Sequence, residues 1–118
     1  MYIDGLTDLR HKAQGHFGPR ATYRATYEDD PQKGENGYVK FVLYDSFVFD
    51  FGFMEPPLTA LGFSLELAER TSETVLLGKD LLFIENREPD VEDAFRVVDE
   101  YCRLRLPDKF LQVYDALE

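Results

Sequence analysis

The sequence predicts an α+β fold: an antiparallel sheet of about five or six strands in meander-like order, a short N-terminal helix, and two C-terminal helices packed on a Phe-rich face. Two observations lead to this prediction. Residues 20–85 are dominated by the two-residue periodicity of strands, and residues 89–117 by helical spacing, so strands and helices are segregated along the chain. The length of 118 residues suits a single domain spanning 1–118.

The strongest strand signal lies in Tyr38–Met54, YVKFVLYDSFVFDFGFM. Seven of its eight odd-numbered positions are large and apolar, five of them Phe, whereas the even-numbered positions are mixed and partly polar. This alternation predicts one sheet face in the core and the other partly in water. A three-residue loop from Asp45 to Phe47, which pairs Leu43 with Phe49, keeps the odd positions together; a single strand bent at Asp45 is the alternative.

The part of the chain before this stretch predicts a helix and a strand. Apolar residues recur at helical spacing over residues 3–15, and Gly15 and Gly18-Pro19 stop the helix. Residues 20–28 then alternate as a half-buried strand, and the turn-rich segment 29–37 forms a hairpin loop. The strand positions assigned to one face are Ala21, Tyr23, Ala25 and Tyr27.

Beyond Pro56-Pro57 the periodicity is mixed, because residues 58–70 suit either a helix or a strand. Flanking strand signals favour a strand over 62–70. Residues 74–77 and 81–85 are expected to form a hairpin around Gly78-Lys79-Asp80. Further on, Asp90 is expected to N-cap a helix, and Pro107 separates it from a short last helix capped by Asp108. The apolar positions predicted for the two helices are Val91, Ala94, Phe95, Val98, Tyr101, Cys102, Phe110, Leu111, Tyr114 and Leu117.

The net charge is −10 and unevenly distributed, since residues 55–118 hold 7 Lys/Arg against 15 Asp/Glu. A field of this sign repels nucleic acid and anionic membranes and attracts basic proteins. The sequence contains neither a basic leader before an apolar run nor 18 consecutive apolar residues, so we expect a cytoplasmic location without a membrane span. Its single cysteine, Cys102, excludes an intramolecular disulfide.

Motifs for nucleotide, metal or nucleophilic chemistry are missing, including GxGxxG, GxxxxGK[ST], CxxC, HExxH and GxSxG. His11 and His16 lie about 140° apart on a helix without a carboxylate or Cys at ligand spacing, so we expect no metal site. Cys102 belongs to a buried helical stripe, Asp45 to a turn and Asp50 to the wet strand face. We therefore expect no cofactor, no catalytic residue and no enzymatic activity.

The leading hypothesis is an acidic inhibitor of a basic protein, concretely an immunity protein or antitoxin that neutralises a nuclease-type bacterial toxin. A nuclease must be basic around its substrate site, so a small acidic domain can occupy that surface without chemistry of its own. The predicted partner contacts are Tyr27, Asp29, Asp30, Glu35, Tyr38, Glu88, Asp90, Glu92 and Asp93. The alternatives are a Tyr/Phe-lined cup for a small ligand or substrate, with Asp50 or His16 as its polar group, and a structural subunit or adaptor of a larger complex.

Overall fold

The computed structural model describes residues 1–28, 30, 32, 36–55, 59–68 and 71–117, with the backbone alone at 55, 68 and 71. A single 3₁₀ turn, Gly18–Arg20, follows the first helix. The elements in chain order are α1 (Leu6–Phe17), β1 (Ala21–Tyr27), β2 (Tyr38–Leu43), β3 (Phe47–Glu55), β4 (Ala60–Ala68), β5 (Thr71–Glu73), β6 (Val75–Leu76), β7 (Lys79–Asp80), β8 (Ile84–Glu85), α2 (Glu88–Arg103) and α3 (Asp108–Asp115).

The main sheet is an antiparallel meander in which β1 to β5 follow one another in sequence order, and β8 pairs with the first residues of β4. The short strands β6 and β7 form a separate hairpin. The predicted α+β class, the strand number and the three helices are confirmed. Within the described chain, no helix combines the length and apolar character that crossing a membrane requires.

The inner face of the sheet carries the predicted row of Phe side chains, and helices cover it. Phe51 lies at its centre, with the ring of Phe17 from α1 at 6.1 Å and that of Phe95 from α2 at 5.7 Å. Phe95 also stacks on Phe63 of β4 at 5.1 Å. All four side chains are fully buried. The helix α3 extends the cover by contributing Leu111 and Tyr114 to the core, and α1 shares the covering role that the sequence assigned to the C-terminal helices.

The loop between β2 and β3 has the predicted three residues but lies one residue earlier, at Tyr44–Ser46, so Leu43 pairs with Phe47 rather than Phe49. Tyr44 and Asp45 adopt left-handed backbone conformations, with φ of 55° and 53°. This conformation turns the Tyr44 ring into the core, where it is fully buried. Burial of this large aromatic side chain compensates for the free energy that the left-handed conformation costs. The sequence pattern alone does not show this balance.

The assignment of Ala25 and Tyr27 to the same face as Ala21 and Tyr23 was wrong, because a β-bulge at Arg24 shifts the register of β1. Before the bulge Tyr23 pairs with Phe41, and after it Tyr27 pairs with Tyr38 on the outer face. Alternation is intact on each side of a bulge, so a two-residue periodicity does not reveal it.

Further boundaries differ from expectation. The strand β4 spans Ala60–Ala68 and so begins two residues before the predicted 62, and its pairing with β3 excludes the helical alternative for this span. Residues 69 and 70 of the predicted strand lie outside the described residues. The hairpin turns at Leu77-Gly78, whereas the segment expected as its second strand supplies β8, which pairs with β4. The helix α2 begins at Glu88, with Arg87 rather than Asp90 at the N-cap position. Of the predicted apolar helix positions, Phe110 and Leu117 are exposed.

The helix α1 begins at Leu6 rather than residue 3. The segment before it is held in place by the side chain of Asn86. Asn86 is 4 % exposed. Its Oδ1 accepts a hydrogen bond from the backbone N–H of Ile3 at 2.7 Å, and its Nδ2 donates to the Ile3 carbonyl at 2.8 Å. This pair of bonds mimics a strand ladder and satisfies the backbone of a fully buried residue.

Candidate functional site

The predicted contact residues separate into two groups on opposite sides of the sheet. Glu88, Asp90, Glu92 and Asp93 lie in the first turns of α2, on the helical side. Tyr27 and Tyr38 lie on the outer face, paired across β1 and β2. Asp30 follows β1, and the predicted contacts Asp29 and Glu35 lie outside the described residues. No single surface therefore contains all the described members of the predicted set.

Most of the α2 carboxylates are paired with cations of the same chain. Asp90 accepts from the Arg87 guanidinium at 2.9 Å, and Asp93 is held by Lys79 and, at 2.7 Å, by Arg96. The hydrogen bonds from Lys79, which has the larger effect, and from Arg96 lower the pKa of Asp93. An ion pair already made within the molecule leaves a carboxylate with less to gain from a partner's cation.

Two further α2 carboxylates face the N-terminal segment. The Tyr2 hydroxyl donates to Glu92 at 3.1 Å, and His16 Nδ1 lies 3.5 Å from the same carboxylate. Burial, followed by the charge of Glu92 and more weakly that of Glu88, raises the pKa of Tyr2 to about 12. Glu88 is exposed at the first residue of the helix. Among the four predicted α2 contacts, Glu88 is therefore the most accessible to a partner, since Asp90, Glu92 and Asp93 are partly buried.

The outer face of the sheet presents an aromatic pair. The rings of Tyr27 and Tyr38 stack with centroids 4.7 Å apart and planes 19° from parallel, and Lys40 Nζ lies 5.5 Å from the Tyr27 centroid. Tyr27 is 44 % exposed. Asp30 adjoins the pair, its Oδ1 accepting from the backbone N–H of Gln32 at 3.1 Å. The stacked rings form a rigid amphipathic surface of a kind common in binding interfaces.

Beside the aromatic pair lies an open cleft of about 360 Å³. Two glycines are paired across neighbouring strands there, Gly52 of β3 and Gly62 of β4. Because neither has a side chain, the cleft is deeper at this point. A Cβ on Gly52 would lie 2.7 Å from both the Gly37 carbonyl oxygen and the Tyr38 Cβ. No pattern in the sequence predicts this cleft, since it depends on which strands pair and in which register. The lining residues are Asn36, Gly37, Tyr38, Asp50, Gly52, Phe53, Met54, Gly62 and Ser64.

Asp50 is the acidic group of the cleft. It lies between Lys40 and Ser64 in the strand ladder, on the half-wet face where the sequence placed it. Its Oδ1 is buried and makes no hydrogen bond within the described chain. Burial, and then the charge of Glu66, raises the pKa of Asp50 to about 6, although Lys40 opposes the shift. Lys40 is itself committed to Glu66, with Nζ 2.8 Å from Oε2.

The other residues that were considered for a chemical role make contacts that stabilise the fold. Cys102 is fully buried, as predicted, and burial raises the pKa of its thiol well above the usual range. The imidazole of His16 packs on Phe17 and Phe95. Asp45 accepts a hydrogen bond from the Tyr114 hydroxyl. Among the described residues, no group of three His, Cys, Asp or Glu is arranged to hold a metal ion.

Fold and site together define an α+β domain that has helices on one sheet face and leaves an aromatic, acidic cleft on the other. Comparison with models of known protein families, with curated protein sequences and with solved structures finds no match. The function is therefore inferred from the site's own chemistry.

Proposed function

We propose that this protein is a non-enzymatic cytoplasmic inhibitor of a basic protein, in concrete form an immunity protein or antitoxin that neutralises a nuclease-type bacterial toxin. The physical basis is charge complementarity: the chain carries a net charge of −10, and a nuclease is basic where it binds its substrate. Opposite fields accelerate encounter, with association rates that reach about 10⁸ M⁻¹s⁻¹ at low salt.

The observation that carries the proposal is the open outer face of the sheet. The rings of Phe17 and Phe95 place α1 and α2 against the inner face, and no described helix lies against Tyr27, Tyr38 and Asp50 on the outer one. An aromatic pair beside an acidic group provides both an anchor and a charge for a basic partner. We assign the contact to this face, and to the α2 acids mainly a contribution to the long-range field.

The test begins by capturing the partner from the protein's own host and purifying it. We expect a basic nuclease whose activity the chain inhibits, and an affinity that weakens clearly between about 50 and 500 mM salt because the interaction is electrostatic. Tyr27→Ala should weaken binding at least about tenfold, mainly by faster dissociation. Reversing the charges of Glu88, Asp90 and Asp93 together should mainly slow association. A partner that is not basic, or an affinity indifferent to salt, would contradict the proposal.

A small-ligand or enzymatic cup is the second candidate, and the cleft is the observation that favours it. Asp50, with its raised pKa of about 6, and Ser64 are polar groups in a cavity of ligand size. Salt separates the two candidates, because a neutral ligand bound in a cleft responds little to ionic strength.

An assembly subunit is the third candidate. Phe110, Val113 and Leu117, at helical spacing on and just after α3, are 36 %, 60 % and 63 % exposed. Such a stripe favours contact with another protein surface. Sedimentation velocity distinguishes this candidate: a stable self-association that Val113→Glu abolishes would support it over the inhibitor.

A further inference from the structure

The cleft beside Tyr38 is a small slot, with room for one group of modest size. It lacks side chains at Gly52 and Gly62, and its lining includes Tyr38 and Met54. A volume of about 360 Å³ is at the lower end of that found for small-ligand sites. The slot therefore suits a single side chain or a ligand of that size.

The charges in and next to the cleft favour a cation: Asp50 lines the cleft, and Glu66 and Lys40 lie beside Asp50 outside it. Asp50, Glu66 and Lys40 together carry one excess negative charge when both acids are ionised. Lys40 is bound to Glu66, which leaves the buried Oδ1 of Asp50 without a hydrogen-bond donor. Asp50 itself lines the cleft, so a cation that enters the cleft can pair with its carboxylate and offset the excess negative charge.

We infer that this cleft receives an arginine side chain of the basic partner, whose guanidinium donates to Asp50 and stacks on Tyr38. The inference rests on the proposed function for the source of the arginine, but its chemistry is a property of the cleft alone. A guanidinium fits better than an ammonium because it is planar, donates to a carboxylate through two N–H groups and stacks on aromatic rings.

The acid–base behaviour of the cleft agrees with this assignment. Tyr38, Lys40 and Glu66 are the titratable groups around Asp50, and only Lys40 lowers its pKa. Asp50 is consequently protonated in part near pH 6. Because the guanidinium binds the ionised form, its affinity should fall about tenfold for each pH unit below that pKa.

The experiment uses the intact protein and two probes: N-acetyl-arginine amide and its neutral isostere, N-acetyl-citrulline amide. Binding is followed by NMR through the backbone amides of Gly52 and Gly62 at pH 7.5. We expect saturable shifts with the arginine probe, and at least about tenfold weaker binding of the citrulline probe, since a charge-assisted hydrogen bond is lost.

Three variants sharpen the test. Asp50→Asn should abolish the preference for arginine over citrulline, and Gly62→Ala, whose added methyl meets the flexible end of Met54, should weaken both probes by narrowing the slot. Glu88→Gln removes an exposed acid outside the cleft and should leave binding unchanged. Equal binding of the two probes to the wild type, or an undiminished preference for arginine in Asp50→Asn, would overturn the inference. Neither result would affect the salt-dependent capture of a basic partner, so the two proposals fail separately.

Discussion

The hydroxyl of Tyr44 donates a 2.6 Å hydrogen bond to Oδ1 of Asp99 and thereby ties the β2–β3 loop to the middle of α2. The other oxygen of Asp99 lies 3.0 Å from the Arg20 guanidinium, so the carboxylate joins three separate parts of the chain. Burial and this bond raise the pKa of Tyr44 to about 12. The left-handed loop and the helix that covers the sheet are thus held by one partly buried carboxylate.

Removing this hydroxyl should destabilise the protein. Tyr44→Phe keeps the buried ring but deprives Asp99 of a donor, and we expect a loss of about 1.5–3 kcal/mol, the range for a hydrogen bond to a charged group. Urea unfolding followed by circular dichroism measures it. Tyr101→Phe is the matched control, because the half-buried Tyr101 makes ring contacts with Phe47 and Phe49 and no hydroxyl hydrogen bond is found for it in the described chain. Equal effects of the two substitutions would contradict the prediction.

Asn86→Ala should be among the more damaging polar substitutions. It removes both hydrogen bonds to Ile3 and leaves buried backbone groups unsatisfied, for which we expect a loss of about 2–4 kcal/mol. Thermal unfolding and the exchange rate of the Ile3 amide hydrogen would report it. Asn36→Ala, which removes an exposed bond to the Met54 carbonyl, should cost well under half as much.

The stability of the protein should depend on pH through Asp50. Its folded-state pKa of about 6 exceeds the ordinary 3.8, so the folded state binds more protons between these values and stability falls as pH rises through them. Asp50→Asn removes this cost and should stabilise the protein at pH 7 by about 1 kcal/mol, after solvent screening of a partly exposed group is allowed for.

Urea unfolding of the wild type and Asp50→Asn at several pH values between 4 and 7 measures the effect. The stabilisation should shrink towards zero at the acidic end, where the wild-type carboxyl is protonated. Asp4→Asn, which changes an exposed side chain, should retain the wild-type pH dependence. A stabilisation that does not vary with pH would show that another cause dominates.

The two glycines of the cleft should differ in their tolerance of alanine. At Gly52 the added methyl meets the Gly37 carbonyl oxygen and the Tyr38 Cβ, both at 2.7 Å and both fixed by the ladder. We expect Gly52→Ala to cost about 1–3 kcal/mol, the range for overpacking. At Gly62 the methyl meets the Met54 sulfur, which can move away, so Gly62→Ala should cost distinctly less. Chemical denaturation of both variants under one condition tests the order.

The periodicity of the sequence was sufficient for the sheet, its Phe-rich face and the three helices, since each depends on local pattern. The register between neighbouring strands was harder to predict. The bulge at Arg24 and the loop at Tyr44 each displace residues by one position relative to the predicted register. A two-residue period carries no information about such shifts.

The candidate site was only partly accessible to sequence reasoning. Asp50 was placed on the half-wet face and named as the polar group of a possible cup, but the cleft needs Gly52 opposite Gly62, which follows only from the β3–β4 register. The acidic start of α2 was visible as a charge pattern. The ion pair between Asp93 and Lys79 of the β6–β7 hairpin could not be predicted, because the two residues meet only in the folded chain.

The bulge in β1 has a further consequence for solubility. Of the strands described in the main sheet, β1 is the one at the end of the ladder next to β2, where unpaired N–H and C=O groups invite another chain to add itself. The β-bulge at Arg24 interrupts the regular strand that an added chain would need to pair with, and the exposed Arg24 places a positive charge on this edge. The irregularity that turns Tyr27 to the outside thus also discourages edge-to-edge aggregation between copies of the protein.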